Sequence, residues 1–85
     1  MALKVQLAGS AFKYLEGLDR ITKARIREKL EAIAEAPYDP RLSKPLTATA
    51  KRSTRIGSYR VLFEIDEETL FVADIGPRGQ IHRRT

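Results

Sequence analysis

Residues 55–65, Arg55-Ile56-Gly57-Ser58-Tyr59-Arg60-Val61-Leu62-Phe63-Glu64-Ile65, decide how this 85-residue chain folds. Tyr59, Val61, Phe63 and Ile65 alternate with Arg60, Leu62 and Glu64, the period of two that gives a strand one core face. Gly57-Ser58 ahead of it suits a two-residue hairpin turn with glycine at its first position. Such a turn sets a register: Ile56 opposite Tyr59, Arg55 opposite Arg60, Ser53 opposite Leu62 and Lys51 opposite Glu64. Two guanidinium groups placed against each other disfavour folding slightly. A sheet that accepts this repulsion is suited to hold an anion there. Arginine binds phosphate better than lysine does, because its planar fork meets two oxygens at once. Charge on an exposed strand also guards against edge-to-edge aggregation, which is the competing reading of the pair.

Outward from this hairpin, Asp66-Glu67-Glu68 predicts a second turn and Leu70 to Ile75 a strand apolar on both faces, hence central in its sheet. Gly76-Pro77 should break it, and Gln80 to Arg84 is a candidate last short strand. On the other side, Pro37 to Ala50 holds Pro37, Pro40 and Pro45 without periodicity and reads as a loop, with β structure from Thr54 onward. Before it, Ile26, Leu30, Ile33 and Ala34 form the stripe of a helix capped by Asp19 or Thr22 and stopped at Pro37. Ser10 is a natural N-cap for a shorter helix with Ala11, Tyr14, Leu15 and Leu18 on one side. Ala2 to Ala8 alternates Leu3, Val5 and Leu7 with Lys4 and Gln6, a half-buried strand. The expected fold is α+β in the order β-α-α-β-β-β(-β), one domain over residues 1–85. Its αα-hairpin covers one face of a small twisted antiparallel sheet.

Composition narrows the function. Cysteine is absent and His82 is the one histidine, which excludes disulfides, thiolate nucleophiles and Cys or multi-His metal cages. The longest apolar runs fall far short of the ~18 residues that span a bilayer, and the N-terminus lacks a signal-peptide core. A cytoplasmic location is the expectation. Sixteen Lys and Arg against eleven Asp and Glu leave +5, which favours a polyanionic partner. The excess is localised. Pro40 to Phe63 carries Arg41, Lys44, Lys51, Arg52, Arg55 and Arg60, and Gly76 to Thr85 carries Arg78, Arg83 and Arg84, both without an acid. Asp19 to Glu35 mixes signs at helical spacing, the pattern of a solvated face. A membrane anchor would need a basic amphipathic helix, so no membrane partner is expected.

Together these residues resemble a family. Arg55-Ile56-Gly57-Ser58-Tyr59-Arg60-Val61-Leu62-Phe63-Glu64-Ile65 is similar to the R-V-G-x-Y-R-V-x-Y-x-I signature of RelE/ParE-type toxins. Leu15-Glu16-Gly17-Leu18, the Pro37 to Leu46 stretch and Ile75-Gly76-Pro77-Arg78 extend the resemblance over almost the whole chain. RelE-type members are metal-independent endoribonucleases that cut mRNA in the ribosomal A site and are held inactive by an antitoxin. ParE-type members share the fold and inhibit DNA gyrase.

The resemblance implies a phosphate-binding arginine at Arg60, a basic partner at Arg55, an arginine after the last long strand at Arg78, and the terminal aromatic position at His82. It also implies no cofactor, an acidic antitoxin as partner, and the ribosome with its mRNA as target. Two positions depart from the pattern. Ser53 stands where a basic residue is common, with Lys51 two residues back on the same face, and His82 replaces the tyrosine of some members. His82 is also the only side chain with an unperturbed pKa near neutrality, which makes it the first candidate for general acid or base, with Lys51 second. Lys44, Lys51, Arg52, Arg83 and Arg84 are expected to contact the RNA backbone. The alternatives are a gyrase inhibitor, which needs no titratable group, and an inactive relative.

Overall fold

In the computed structural model, which describes residues 2–46 and 51–77, the first strand runs straight into the first helix. β1 spans Lys4–Leu7 and α1 spans Gly9–Glu16. Ala8 is extended and donates its N–H to Val72 O at 2.9 Å, while its carbonyl accepts from Phe12 N at 2.9 Å. One residue thus ends the ladder and starts the helix. Ser10, expected as the N-cap, instead lies inside the first turn, and the cap position is Ala8 with no side-chain bond. α2 spans Arg20–Glu35, and Asp19 caps it, its Oδ2 accepting from Thr22 N at 2.9 Å. Glu16 ties the two helices together through Lys23 at 3.3 Å and Arg27 at 2.8 Å. At the far end Ala36 leaves helical geometry (φ −139°, ψ 70°), as the residue before Pro37 must.

β2 spans Lys44–Pro45, β3 Arg52–Ile56, β4 Tyr59–Ile65 and β5 Thr69–Pro77, and the sheet order is β1-β5-β4-β3-β2. Three expectations change here. First, the region after Pro37 is not all loop: Lys44 and Pro45 pair with Ser53 and Arg52, so β3 begins two residues before Thr54. Bonds from β3 hold that segment in place, Thr54 Oγ1 to Leu42 O at 2.7 Å and Arg52 Nε to Ser43 Oγ at 3.1 Å. A two-residue edge strand containing proline leaves no periodic trace. Second, the sheet is mixed, because β1 pairs with β5 in parallel. Third, β5 does not break at Gly76-Pro77: Gly76 pairs with Arg60 and Pro77 with Tyr59. β5 is interior in the sheet, yet Phe71 on its outer face is 38% exposed, so the strand is not covered on both sides.

The core lies between the helices and one sheet face. Ala11, Leu15, Ile26, Leu30, Ile33 and Ala34 meet Val61, Phe63, Leu70, Val72 and Ile75 in one buried cluster. Each large side chain fully buried there contributes about 1.5–3 kcal/mol. Membership of Ile75 depends on a bulge. Phe63 pairs with Val72 but Leu62 pairs with Asp74, leaving Ala73 as the extra residue. The bulge shifts parity, so Ile75 rather than Asp74 joins Val61 in the core, and Gly76 rather than Ile75 comes opposite Arg60. Among the described residues, no helix is long and apolar enough to cross a membrane.

Candidate nucleic-acid interface

The Gly57-Ser58 turn has its glycine at φ 58°, the left-handed conformation that the preferred two-residue hairpin turns require. The register across it is Ile56–Tyr59, Arg55–Arg60, Thr54–Val61 and Ser53–Leu62. Ile56 and Tyr59 flank the turn as the hydrogen-bonded pair, so Arg55 and Arg60 form the next, closer pair, with Cα atoms about 4.5 Å apart. Both belong to the face opposite Val61 and Phe63. On the other side of β4, Gly76 occupies the position opposite Arg60 and places no side chain there. Ser53, buried on the same face, accepts from Arg60 Nη1 at 3.4 Å.

Beside this pair lies a cleft of about 400 Å³, walled by residues 40–44, by Ser53, Thr54, Arg55 and Arg60 of the hairpin, and by Lys29 of α2. Its described lining holds five cations, Lys29, Arg41, Lys44, Arg55 and Arg60, and no carboxylate. Arg41 is matched from outside the cleft. Its Nε and Nη2 donate to Asp39 Oδ1 and Oδ2 at 3.1 and 2.8 Å, and its backbone N–H donates to Oδ1 as well. These bonds, the guanidinium first, hold the Asp39 carboxyl down to about 2 and raise the Arg41 pKa. The cleft is therefore a concave, acid-free surface with hydroxyls at its base. Such a surface can chemically accommodate an anion with several oxygens, such as a phosphate.

The structure brings together only some of the residues expected from sequence. Arg55, Arg60 and Lys44 line the cleft. Arg52 does not; its position is on the face of Phe63, and its guanidinium bonds Ser43 and lies 5.4 Å from the centre of the Tyr38 ring. Lys51 is half-buried just before β3, where its carbonyl accepts from Leu46 N at 2.9 Å. Arg78, His82, Arg83 and Arg84 lie outside the described residues. Lys29 was not expected here, since its place in a mixed-charge helix carries no signal of which flank faces the sheet edge. Asp74 was not expected on the arginine face either; the bulge puts it there, one pair along from Arg60.

Residues 5–82 match the family described as the ParE toxin of the type II toxin–antitoxin system, parDE. No curated protein is a significant match. Among solved structures, the toxin–antitoxin complex RelBE2 of Mycobacterium tuberculosis contains a chain 25% identical to this one, with TM-score 0.77, covering 92% of this chain and 100% of that one. The isolated Escherichia coli RelE toxin is 19% identical with TM-score 0.77, covering 98% of each chain. The archaeal RelE–RelB complex of Pyrococcus horikoshii gives 18% identity and TM-score 0.76, over 94% of this chain and 99% of that one.

Proposed function

This chain belongs to the RelE/ParE family of type II toxin–antitoxin toxins, and from that premise we propose that it is a ribosome-dependent, metal-independent endoribonuclease that cleaves mRNA and so inhibits translation in the cytoplasm. The observation that carries the reading is the Arg55–Arg60 pair, opposed across a tight hairpin on the wall of a cleft lined by cations.

Metal-free RNA cleavage uses the neighbouring 2′-hydroxyl. Its oxygen attacks phosphorus in line, the bond from phosphorus to the 5′-oxygen breaks, and a 2′,3′-cyclic phosphate and a 5′-hydroxyl result. One group must take the 2′ proton, one must offset the added negative charge, and one must give a proton to the leaving oxygen. Arg55 and Arg60 hold the phosphate and stabilise the charge that develops on it. Arg78 acts on the same charge nearer the leaving group. A guanidinium does not release protons near neutrality, so proton transfer falls to His82, with Lys51 as the second candidate. One histidine cannot perform both transfers at once, and the ribosome supplies positioning for the rest.

The partner that restrains this activity is an acidic antitoxin. A second groove, lined by Val5, Leu7, Phe12, Leu15 and Leu30 with Arg27 and Glu31 at its margin, offers apolar surface beside the helix hairpin, and Phe12 there is 51% exposed. A segment rich in Leu and Glu would lay its apolar side chains in this groove and its carboxylates on the arginine face.

Arg60→Ala should lower mRNA cleavage on translating ribosomes by about 100-fold or more, the loss typical of one charge-stabilising donor, with the fold retained. Primer extension reads the cleavage and circular dichroism the fold. A folded Arg60→Ala protein that cuts as well as the parent would sink the assignment. The family description favours one other reading, a gyrase inhibitor. Such a protein would block supercoiling and leave the mRNA whole, which the same preparation tests directly.

A further inference from the structure

We propose that the cleft takes two consecutive phosphates of one RNA strand, the reacting phosphate at Arg55 and Arg60 and its neighbour at Lys29 and Lys44. The proposal rests on the ribonuclease reading of this cleft and adds to it a second subsite, with a residue of α2 as one of its walls. Size is the first argument. A phosphate group fills the space of a few waters, each about 30 Å³. A cleft of about 400 Å³ therefore holds a ribose and a second phosphate beside the first.

The second argument is the disposition of cations on α2. Lys23 and Arg27 are engaged by Glu16, and Arg20 is exposed at the helix start. Lys29 differs: it is half-buried and lines the arginine cleft, together with Lys44 on the opposite wall. Arg41, the remaining cation of that wall, is already matched by Asp39. Arg55 and Lys29 also border a neighbouring hollow with Arg25, but Glu28 lines that hollow and disfavours a phosphate. The strand's path from the arginine pair therefore runs between Lys29 and Lys44 rather than along the helix.

The third argument is rigidity. Lys44 pairs with Ser53 across β2 and β3, and the Ser53 hydroxyl accepts from Arg60. Thr54 anchors the wall again through Leu42 O at 2.7 Å. One residue, Ser53, thus sets the spacing between the two subsites. Backbone contacts of this kind fix the register of a strand without reading its bases.

The test is binding of the full chain to a short single-stranded RNA carrying 2′-O-methyl groups, which cannot be cleaved, followed by fluorescence anisotropy over a range of salt. Each phosphate contact on a single strand contributes about 0.7 to the slope of log affinity against log salt. Lys29→Ala and Lys44→Ala should each reduce the slope, and the double variant, which loses the whole second contact, should reduce it by about 0.7. Lys29→Arg should keep it. Lys13→Ala, which removes an exposed charge of α1 outside the cleft, should leave it unchanged. An unaltered slope in a folded Lys29→Ala protein overturns the second subsite, as does an equal fall in Lys13→Ala. If the parent protein cleaves mRNA in either case, the ribonuclease reading survives. A parent that shows no salt-dependent binding, leaves mRNA whole and blocks gyrase overturns both together.

Discussion

The two ends of β4 are both hairpin turns, and they handle like charges in opposite ways. At the Tyr59 end a two-residue turn forces Arg55 against Arg60, and residues from α2 and from the 40–44 segment close around the pair as a cleft. At the Ile65 end, Asp66, Glu67 and Glu68 gather three carboxylates on an exposed turn, and the shallow hollow there is lined by that turn and Thr69 alone. Asp66 uses its charge internally, Oδ1 accepting from Glu68 N at 2.9 Å and Thr69 N at 2.7 Å. Charge density alone therefore does not make a site. The cationic end has walls contributed by other elements and a missing side chain at Gly76, while the acidic end has only its own turn.

The two turns also differ in what maintains them, and Gly57→Ala should expose the difference most strongly. An added Cβ meets no atom within 4 Å, so the cost is one of backbone conformation alone. Holding a non-glycine residue at φ 58° costs about 1–2 kcal/mol, or roughly 4–8 °C in Tm per kcal/mol for a domain of this size. Thermal unfolding followed by circular dichroism measures it. A melting temperature equal to the parent's would show that the turn tolerates another geometry. The Arg55–Arg60 register would then no longer depend on glycine.

Asp66→Ala should have a smaller effect. Two backbone N–H groups lose their acceptor, but the turn is exposed and water replaces it, so the loss is about 0.5–1 kcal/mol. Denaturant titration would read it as a lower midpoint with the same slope. A loss exceeding that of Gly57→Ala would reverse the comparison and make the acidic turn the more demanding one.

Smaller still, and of opposite sign, is Arg55→Thr. Threonine suits a strand, and the change removes a like-charge pair worth a few tenths of a kcal/mol. The variant should melt slightly higher than the parent, with the gain shrinking as salt rises. It should also lose RNA affinity. Stability gained where binding is lost is the signature of a residue kept for its ligand, and a variant less stable than the parent at low salt would remove that argument.

How far the sequence could be read follows the same division. The β4 alternation and the hairpin register depend on neighbours in the chain, and each pair from Ile56–Tyr59 to Ser53–Leu62 forms as expected. The Ile26, Leu30, Ile33 and Ala34 stripe is likewise local, and all four are buried. What was not legible is non-local. The parallel pairing of β1 with β5 joins residues 65 positions apart, Lys4 with Thr69 through Leu7 with Val72. β2 exists through bonds from β3, and the bulge at Ala73 adds one small residue to an apolar run without changing its composition. The candidate site divides in the same way. Arg55 and Arg60 could be paired from turn chemistry, whereas Lys29 enters only through the packing of α2 against the sheet edge.

The smallest effect concerns the carboxylate that serves the cationic end. Asp39 titrates at about 2 against an ordinary 3.8, because the Arg41 guanidinium and then the Arg41 backbone N–H stabilise its charged form. A carboxyl group depressed in the folded state contributes stability in full above its unfolded value, and loses it as pH falls through the folded value. The contribution should thus be complete above about pH 4 and gone below about pH 2. Because the Arg41 side of the pair is open to solvent, the loss of the pair alone should not unfold the protein. The direct measurement is the carboxyl carbon shift of Asp39 by NMR in the parent and in Arg41→Gln. The midpoint should move up toward 3.8 in the variant, since the guanidinium hydrogen bonds that depress it most are gone. An unmoved midpoint would mean that Arg41 does not hold Asp39. Arg41 would then count beside Lys29 and Lys44 as a cation the cleft can offer to RNA, and removing it should lower the salt slope further.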